Sequence, residues 1–404
     1  MTPDDVRAAA DRLVHFHERF APIFGKEQAQ VHASDYVMGL MSCPDRKSIE
    51  PIALLVGHGD VSGLQKFINS APWQSDEVQA AFADELAPSA AGTPIGTVGV
   101  IDESAFAKKG VHSAGVARQH NGRLGKEDNC QVGVFLIGVT PAGSALVDHR
   151  LYLPGPWCEE TPEALARREK AHIPEDVAFA PKARIAAELV RGVAVLGQAH
   201  LDWVVADEEY GKAGHFHDAM DELGQKYVLE VPTSTTVWTE DPAGCVPEYS
   251  GKGRRPTALT RAGVLSVAAV AAGLPAGAWQ ALKVRQGACG PLVFEFAAVR
   301  AWAMRDQKPG PPVWVLIRRS LEATPEVKYD ISNGDAETPL GVLALVACAG
   351  FRVEEFFEPC KSYLGMAQYE TRSYAGWHHH MALVALAHLF ITLTRVRLKK
   401  SRRS

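Results

Sequence analysis

The 404-residue chain predicts an α/β protein: a mixed sheet with flanking helices, interrupted by a β-rich insertion and preceded by a helical N-terminal domain. Three observations lead there. β-Branched runs that stop at an aspartate occur twice, Thr97–Ile101 before Asp102 and Trp203–Ala206 before Asp207. Segments of helical period lie before, between and after them. About a hundred residues from Pro232 then leave the alternation, too many for an ordinary loop.

Composition sets the outer limits. With 47% hydrophobic and 22% charged residues, the chain is not of a disordered class and can bury a large core. The net charge of -5 gives no global attraction for nucleic acid, so any such surface must be local. Seven scattered cysteines, without a CxxC pair, indicate neither a disulfide framework nor a zinc module. The N-terminus has no apolar signal region, and the apolar runs are read as too short or too interrupted to span a membrane. The expected compartment is the cytoplasm.

Taken in order, Pro3 to about Leu86 reads as helical, with Val6, Leu13, Phe16 and Phe20 at helical spacing. The breaker-rich 88–94 is a linker, which makes 1–94 a first domain. The Asp102 strand, a glycine-rich basic loop, and the runs Gln131–Thr140 and Ser144–Leu153 read as three strands joined by hairpins. Helices at Thr161–Lys170 and Lys182–Leu196 precede the Asp207 strand. A helix at His215–Leu223 and a strand at Lys226–Val231 follow it. This order is that of an RNase H-like core over 95–231. The insertion is 232–337, with alternating segments at Gly290–Val299 and Pro312–Arg318. The core resumes over 338–404, where Thr338 is read as an N-cap and Pro339 as the first helical residue. It ends in an apolar helix, Met381–Leu393, and the basic run Arg395, Arg397, Lys399, Lys400, Arg402 and Arg403.

Two aspartates at strand ends, with a glutamate on a later helix, are the donor set of a hard divalent cation. Glu354 supplies the third acid and lies seven residues before Lys361 on the same helical face; Glu355 is its neighbour, and either can point inward. Phosphodiester chemistry with paired cations needs such converging carboxylates.

The stretches IDESAFAKKGVHSAGVARQHNGRLGKEDNCQVGV, RLYLP, RREKAHIPEDV, VVADEEYG and RVEEFFEPCKSYLGMAQYETRSYAGWHHH, in that order, closely resemble DDE transposases of bacterial insertion sequences, the insertion-sequence 701 family. The resemblance runs from about Gly96 to the C-terminal helix and includes WQALKVRQGACGPL and Lys328–Asn333. It implies a catalytic triad of Asp102, Asp207 and Glu354 that holds two Mg²⁺, with Mn²⁺ able to substitute. It further implies cleavage of double-stranded DNA at element ends, joining to target DNA, a homodimer in the synaptic complex, and a nucleoid-associated enzyme. The alternatives are a relative that binds DNA without cutting, or a nuclease without strand transfer. Where the family has tyrosine and arginine near DNA phosphates, this chain has Ala347 and Gly350; Arg352 is the candidate substitute, alongside Lys361. Pro359 sits inside the predicted glutamate helix and is expected to kink or shorten it.

Other candidates have structural alternatives. Lys108, Lys109, Arg118, Arg123 and Lys126 are phosphate contacts or a solvated loop. His378–His379–His380 cannot converge on one metal from a helix, and read as structural or DNA-contacting. Arg167, Arg168 and Lys170 read as a solvated face. Trp238, Trp279 and Trp314 read as core, with a wedge against a flipped base as the alternative.

Overall fold

Phe16 and Phe20, one helical turn apart, are both buried, and the helical reading of the N-terminal region holds in the computed structural model. It describes residues 3–42, 46–56, 59–80, 85–122, 124–197, 199–242, 251, 253, 263–287, 290–306 and 308–401. Helices α1 (Pro3–Phe20), α2 (Glu27–Met41), α3 (Ile49–Leu55), α4 (Val61–Ser70) and α5 (Ser75–Gln79) come first. Strands β1 (Val98–Ala107), β2 (Ala117–Asn121), β3 (Lys126–Thr140) and β4 (Gly143–Leu151) follow, then α6 (Pro162–Lys170), α7 (Lys182–Leu196) and β5 (Trp203–Ala206). Next are α8 (Glu208–Gly211), α9 (Gly214–Glu222), β6 (Tyr227–Glu230), β7 (Thr236–Trp238), β8 (Val264–Ser266) and α10 (Val267–Ala272). The chain continues through β9 (Gln280–Gly287), β10 (Gly290–Arg305), β11 (Lys308–Arg319) and β12 (Val327–Ser332). It closes with α11 (Leu340–Ala349), α12 (Glu354–Ser362) and α13 (Tyr374–Ser401). This is an α/β fold with a large mixed sheet and flanking helices, in RNase H-like order.

Chain contacts divide the molecule into two units, 1–92 with 101–200 and 352–404, and 93–100 with 201–351. In the first, β3 pairs antiparallel with both β2 and β4. From Cys130 to Thr140 every residue of β3 is buried, so both faces of that strand are covered. Helix α7 packs on β3 and β4, and α13 packs on β4, α2, α4 and α5. Tyr36 Oη and His380 Nδ1, 2.8 Å apart, join α2 to α13.

The second unit is a sheet in the order β5, β6, β12, β11, β10, β7, β8, with the first residues of β1 beside β5 and with β9 on β10. β5 and β6 are parallel; from β6 onward the pairings are antiparallel. Helix α11 covers β5 and β6 and also reaches β9, β10 and β11.

Four expectations are corrected. β1 does not stop at Asp102 but runs five residues further, because Ser104 and Phe106 are buried at alternate positions and carry the pleat on. The glycine-rich basic loop contains β2, whose register with β3 runs from Ala117 opposite Cys130 to Asn121 opposite Lys126. Pro339 is the N-cap of α11, not its first residue, and makes no side-chain cap bond. Finally, Tyr374–Lys399 of α13 is long and apolar enough to cross a membrane by length and composition. Its charged residues gather at the C-terminal end, and from His379 to Phe390 it is buried without interruption in the first unit.

Candidate active site

The three candidate acids sit in different local settings. Asp102 is half-buried within β1, and its Oδ1 accepts the Glu103 N–H at 2.6 Å. Asp207 is exposed at the N-cap of α8, where its Oδ1 accepts the Glu209 N–H at 3.0 Å. Glu354 is exposed as the first residue of α12. In the second unit the strand ahead of each aspartate is anchored at its start. Asp202 Oδ2 accepts the Thr97 N–H at 2.7 Å, and Thr97 O accepts the Asp202 N–H at 2.9 Å. Gly96 enters this clasp with φ +60°, and a Cβ there would lie 2.0 Å from Asp202 Oδ2, so only glycine fits. Asp102 and Asp207 each come five residues after a member of that pair.

Three of the neighbouring acids, Glu103, Glu209 and Glu355, have basic partners. Lys182 Nζ meets Glu103 at 2.5 Å, Lys212 pairs with Glu209, and Arg352 grips Glu355 through Nε at 3.1 Å and Nη2 at 2.9 Å. Arg352 also donates to Thr140 O at 2.7 Å. The candidate phosphate ligand is therefore held in an internal fork.

Pro359 does not end α12 early; the helix runs through to Ser362. Proline has no N–H, so the carbonyl of Glu355, four residues back, lacks its helical donor. His388 Nε2 on α13 takes that place at 3.1 Å. Burial holds the His388 imidazole down to about 4, so the ring is neutral and carries its proton on Nε2.

Of the basic candidates, Lys109, Arg118 and Lys126 are exposed, the last two on the β2–β3 hairpin. Lys108 turns inward. Its ammonium lies 3.3 Å from the Tyr369 ring centroid and 3.2 Å from Tyr369 O, and burial, helped by Arg46 and opposed by Glu370, lowers it to about 7. Lys361 rests over Phe357 at 4.7 Å. Arg123, Arg402 and Arg403 lie outside the described residues.

A divalent cation suits these three acids by donor chemistry, since hard ions take carboxylate oxygens and a carboxylate has more acceptor sites than one N–H occupies. Among the described residues no group of three or more His, Cys, Asp or Glu side chains is placed to hold a metal.

Comparison with known proteins decides the family. The profile described as DDE superfamily endonuclease matches residues 19–291, more than half of the chain. The chain belongs to the DDE superfamily endonucleases. The match includes Asp102 and Asp207, and stops before Glu354. This superfamily member is also similar to the "Probable transposase for insertion sequence element IS701" of Microchaete diplosiphon, at 29% identity over 195 residues. That alignment covers 48% of this chain and 47% of the relative, so the chain spans about half the length of the curated relative it matches.

Most of the remaining candidates in this DDE superfamily chain have partners within the fold. His379 faces Ile68 O at 2.8 Å and Trp73 O at 2.9 Å, His380 meets Tyr36, and burial lowers the pKa of all three consecutive histidines. The solvated face on α6 is corrected at Arg167 and Arg168, while Lys170 is exposed. Arg168 donates to Pro174 O and Val177 O at 2.8 Å, and Arg167 lies 4.1 Å over Trp157. Trp238 is core; Trp279 and Trp314 lie beneath Arg319 and Arg300 at 3.9 and 5.0 Å. Sequence reasoning missed the Thr97–Asp202 clasp, whose signal was a glycine before one strand and an aspartate before the other.

Proposed function

We propose that the protein is a DNA transposase of the insertion-sequence type, which cleaves element ends and joins them to target DNA. The observation that carries this is the family match across both Asp102 and Asp207, with the IS701 relative in support. Asp102, Asp207 and Glu354 would hold the divalent cations, Mg²⁺ or Mn²⁺. Such ions, when bound, activate the attacking oxygen and stabilise the leaving one. Support for this reading comes from the Thr97–Asp202 clasp, which anchors the starts of the strands ahead of Asp102 and Asp207, and from the hydrogen bond that orients the Asp207 carboxylate. Salt bridges on Glu103, Glu209 and Glu355 limit the repulsion that incoming phosphates meet. Lys109, Arg118 and Lys126 on the exposed loop and hairpin would hold the DNA backbone. Residues 1–94 are assigned to DNA recognition, and the synaptic species to a dimer acting at the nucleoid.

The test incubates the protein with a supercoiled donor carrying the element's own ends, under Mg²⁺ or Mn²⁺, beside Asp102→Asn, Asp207→Asn and Glu354→Gln. Excision and joined products from the parent alone are expected. Specific binding with no metal-dependent cleavage would replace the transposase with a DNA-binding relative; cut but never joined products would reduce it to a nuclease.

A further inference from the structure

The first unit contains a cavity of about 250 Å³ between the β3–β4 turn, the start of α12 and the end of α13. At about 30 Å³ per water it holds roughly eight, enough for a tetrahedral anion with part of its hydration. Its lining includes three cations, Arg352, Arg395 and Lys399, and one acid, Glu355. Arg352 and Glu355 neutralise each other. Arg395 and Lys399 are exposed, one turn apart on α13, and make no salt bridge among the described residues. The cavity therefore carries two positive charges in surplus.

A second observation points to a ligand. Ser144 lines the cavity, is 1% exposed, and its Oγ has no hydrogen-bond partner among the described residues. A buried hydroxyl left without a partner costs about 1–3 kcal/mol, which an incoming acceptor would recover. The turn itself is pressed against α13, since a Cβ at Gly143 would lie 2.5 Å from Thr392 Cγ2. That contact fixes Ser144 relative to Arg395 and Lys399.

We infer that this cavity takes one backbone phosphate of double-stranded DNA, held by Arg395 and Lys399 and oriented by Ser144. None of these residues belongs to the acid triad, so the cavity is a separate anchoring point for the duplex. Only the identity of the phosphate as DNA rests on the transposase reading.

The experiment measures affinity of the full chain for a duplex carrying the element's end, across a salt series, for the parent, Ser144→Ala, Glu355→Gln and the double variant Arg395→Ala/Lys399→Ala. Losing one phosphate contact lowers the salt slope by about 0.9, equivalent to about eightfold at ~0.1 M salt. That loss is expected of the double variant, a smaller one of Ser144→Ala with an unchanged or raised urea midpoint, and tighter binding of Glu355→Gln. Inorganic phosphate is titrated separately against thermal stability. A double variant with parental affinity and slope overturns the site, while parental cleavage leaves the transposase reading standing. Stabilisation by inorganic phosphate that the double variant loses, with duplex binding intact, overturns DNA as the ligand. A parent that binds no duplex at all defeats the transposase reading and the DNA assignment together.

Discussion

His388 Nε2 lies 3.1 Å from the carbonyl oxygen of Glu355, the one acceptor in α12 that Pro359 deprives of its helical donor. One histidine on α13 thus repairs the defect a proline makes next to Glu354. Removing the ring takes a donor from this part-buried carbonyl and opens space beside Phe356, which stacks edge-on to His388 at 5.0 Å. His388→Ala is expected to lose about 1–3 kcal/mol or more in urea denaturation. Pro359→Ala restores the N–H, so the double variant should recover part of that loss, with a coupling of about 0.5–3 kcal/mol. Strict additivity would show that the two residues do not share this carbonyl.

Asp207 has two duties that substitution can separate. Its carboxylate caps α8, and it is the proposed cation ligand. Asparagine keeps the cap and discards the charge, whereas alanine discards both. Asp207→Asn should abolish cleavage at near-parental Tm, and Asp207→Ala should lose about 1 kcal/mol as well. Cleavage by Asp207→Asn at the parental rate would remove Asp207 from the site.

Asp148 on β4 is pushed up to about 7, chiefly by burial, with the His149 N–H and Arg150 opposing. A carboxyl raised above its ordinary 3.8 binds its proton more tightly in the folded chain, so its cost to stability is absent below about 4 and complete above about 7. Asp148→Asn should therefore be more stable than the parent at pH 8, by at most about 4 kcal/mol. The difference should shrink as the pH falls to 4. Equal Tm profiles across that range would refute the assignment. The buried histidines work the other way. His388, His378 and His217 are lowered to about 4, so their contribution is present above 6.5 and lost as the pH falls towards 4.

Lys108 sits in the basic loop but not on its surface. With its ammonium lowered to about 7, the folded chain holds fewer protons than the unfolded one between about 7 and 10.5, and stability rises with pH over that window. Lys108→Met should gain most in Tm below pH 7 and progressively less towards pH 10. Its duplex affinity should stay parental, whereas Arg118→Ala or Lys126→Ala should lose up to about eightfold at ~0.1 M salt. Weakened binding by Lys108→Met alone would put that lysine back on the DNA.

The parts of the fold legible in the sequence were those with an uninterrupted apolar period between breakers. Helix α7 and strand β5 begin and end where the pattern says, with α7 lying between Pro181 and a left-handed Gly197. The family was legible because several motifs recur in order. Strand β2 was hidden because ARQHN is polar on both faces and has no apolar alternation for a reader to follow. The continuation of β1 past Asp102 was masked by two consecutive acids. Long-range facts had no local trace: Glu103 finds Lys182 from 79 residues away, and Lys108 is buried by Tyr369 from 261 residues away. Burial of a lysine depends on what packs over it, which composition does not encode.

The Tyr36–His380 bridge spans 344 residues of chain. Closing a loop of that length costs about 5 kcal/mol of chain entropy by the (3/2)RT ln n scaling. The helices α2, α4 and α5 all pack against α13 across that separation. The covering of these N-terminal helices therefore depends on a helix that lies at the far end of the chain in sequence.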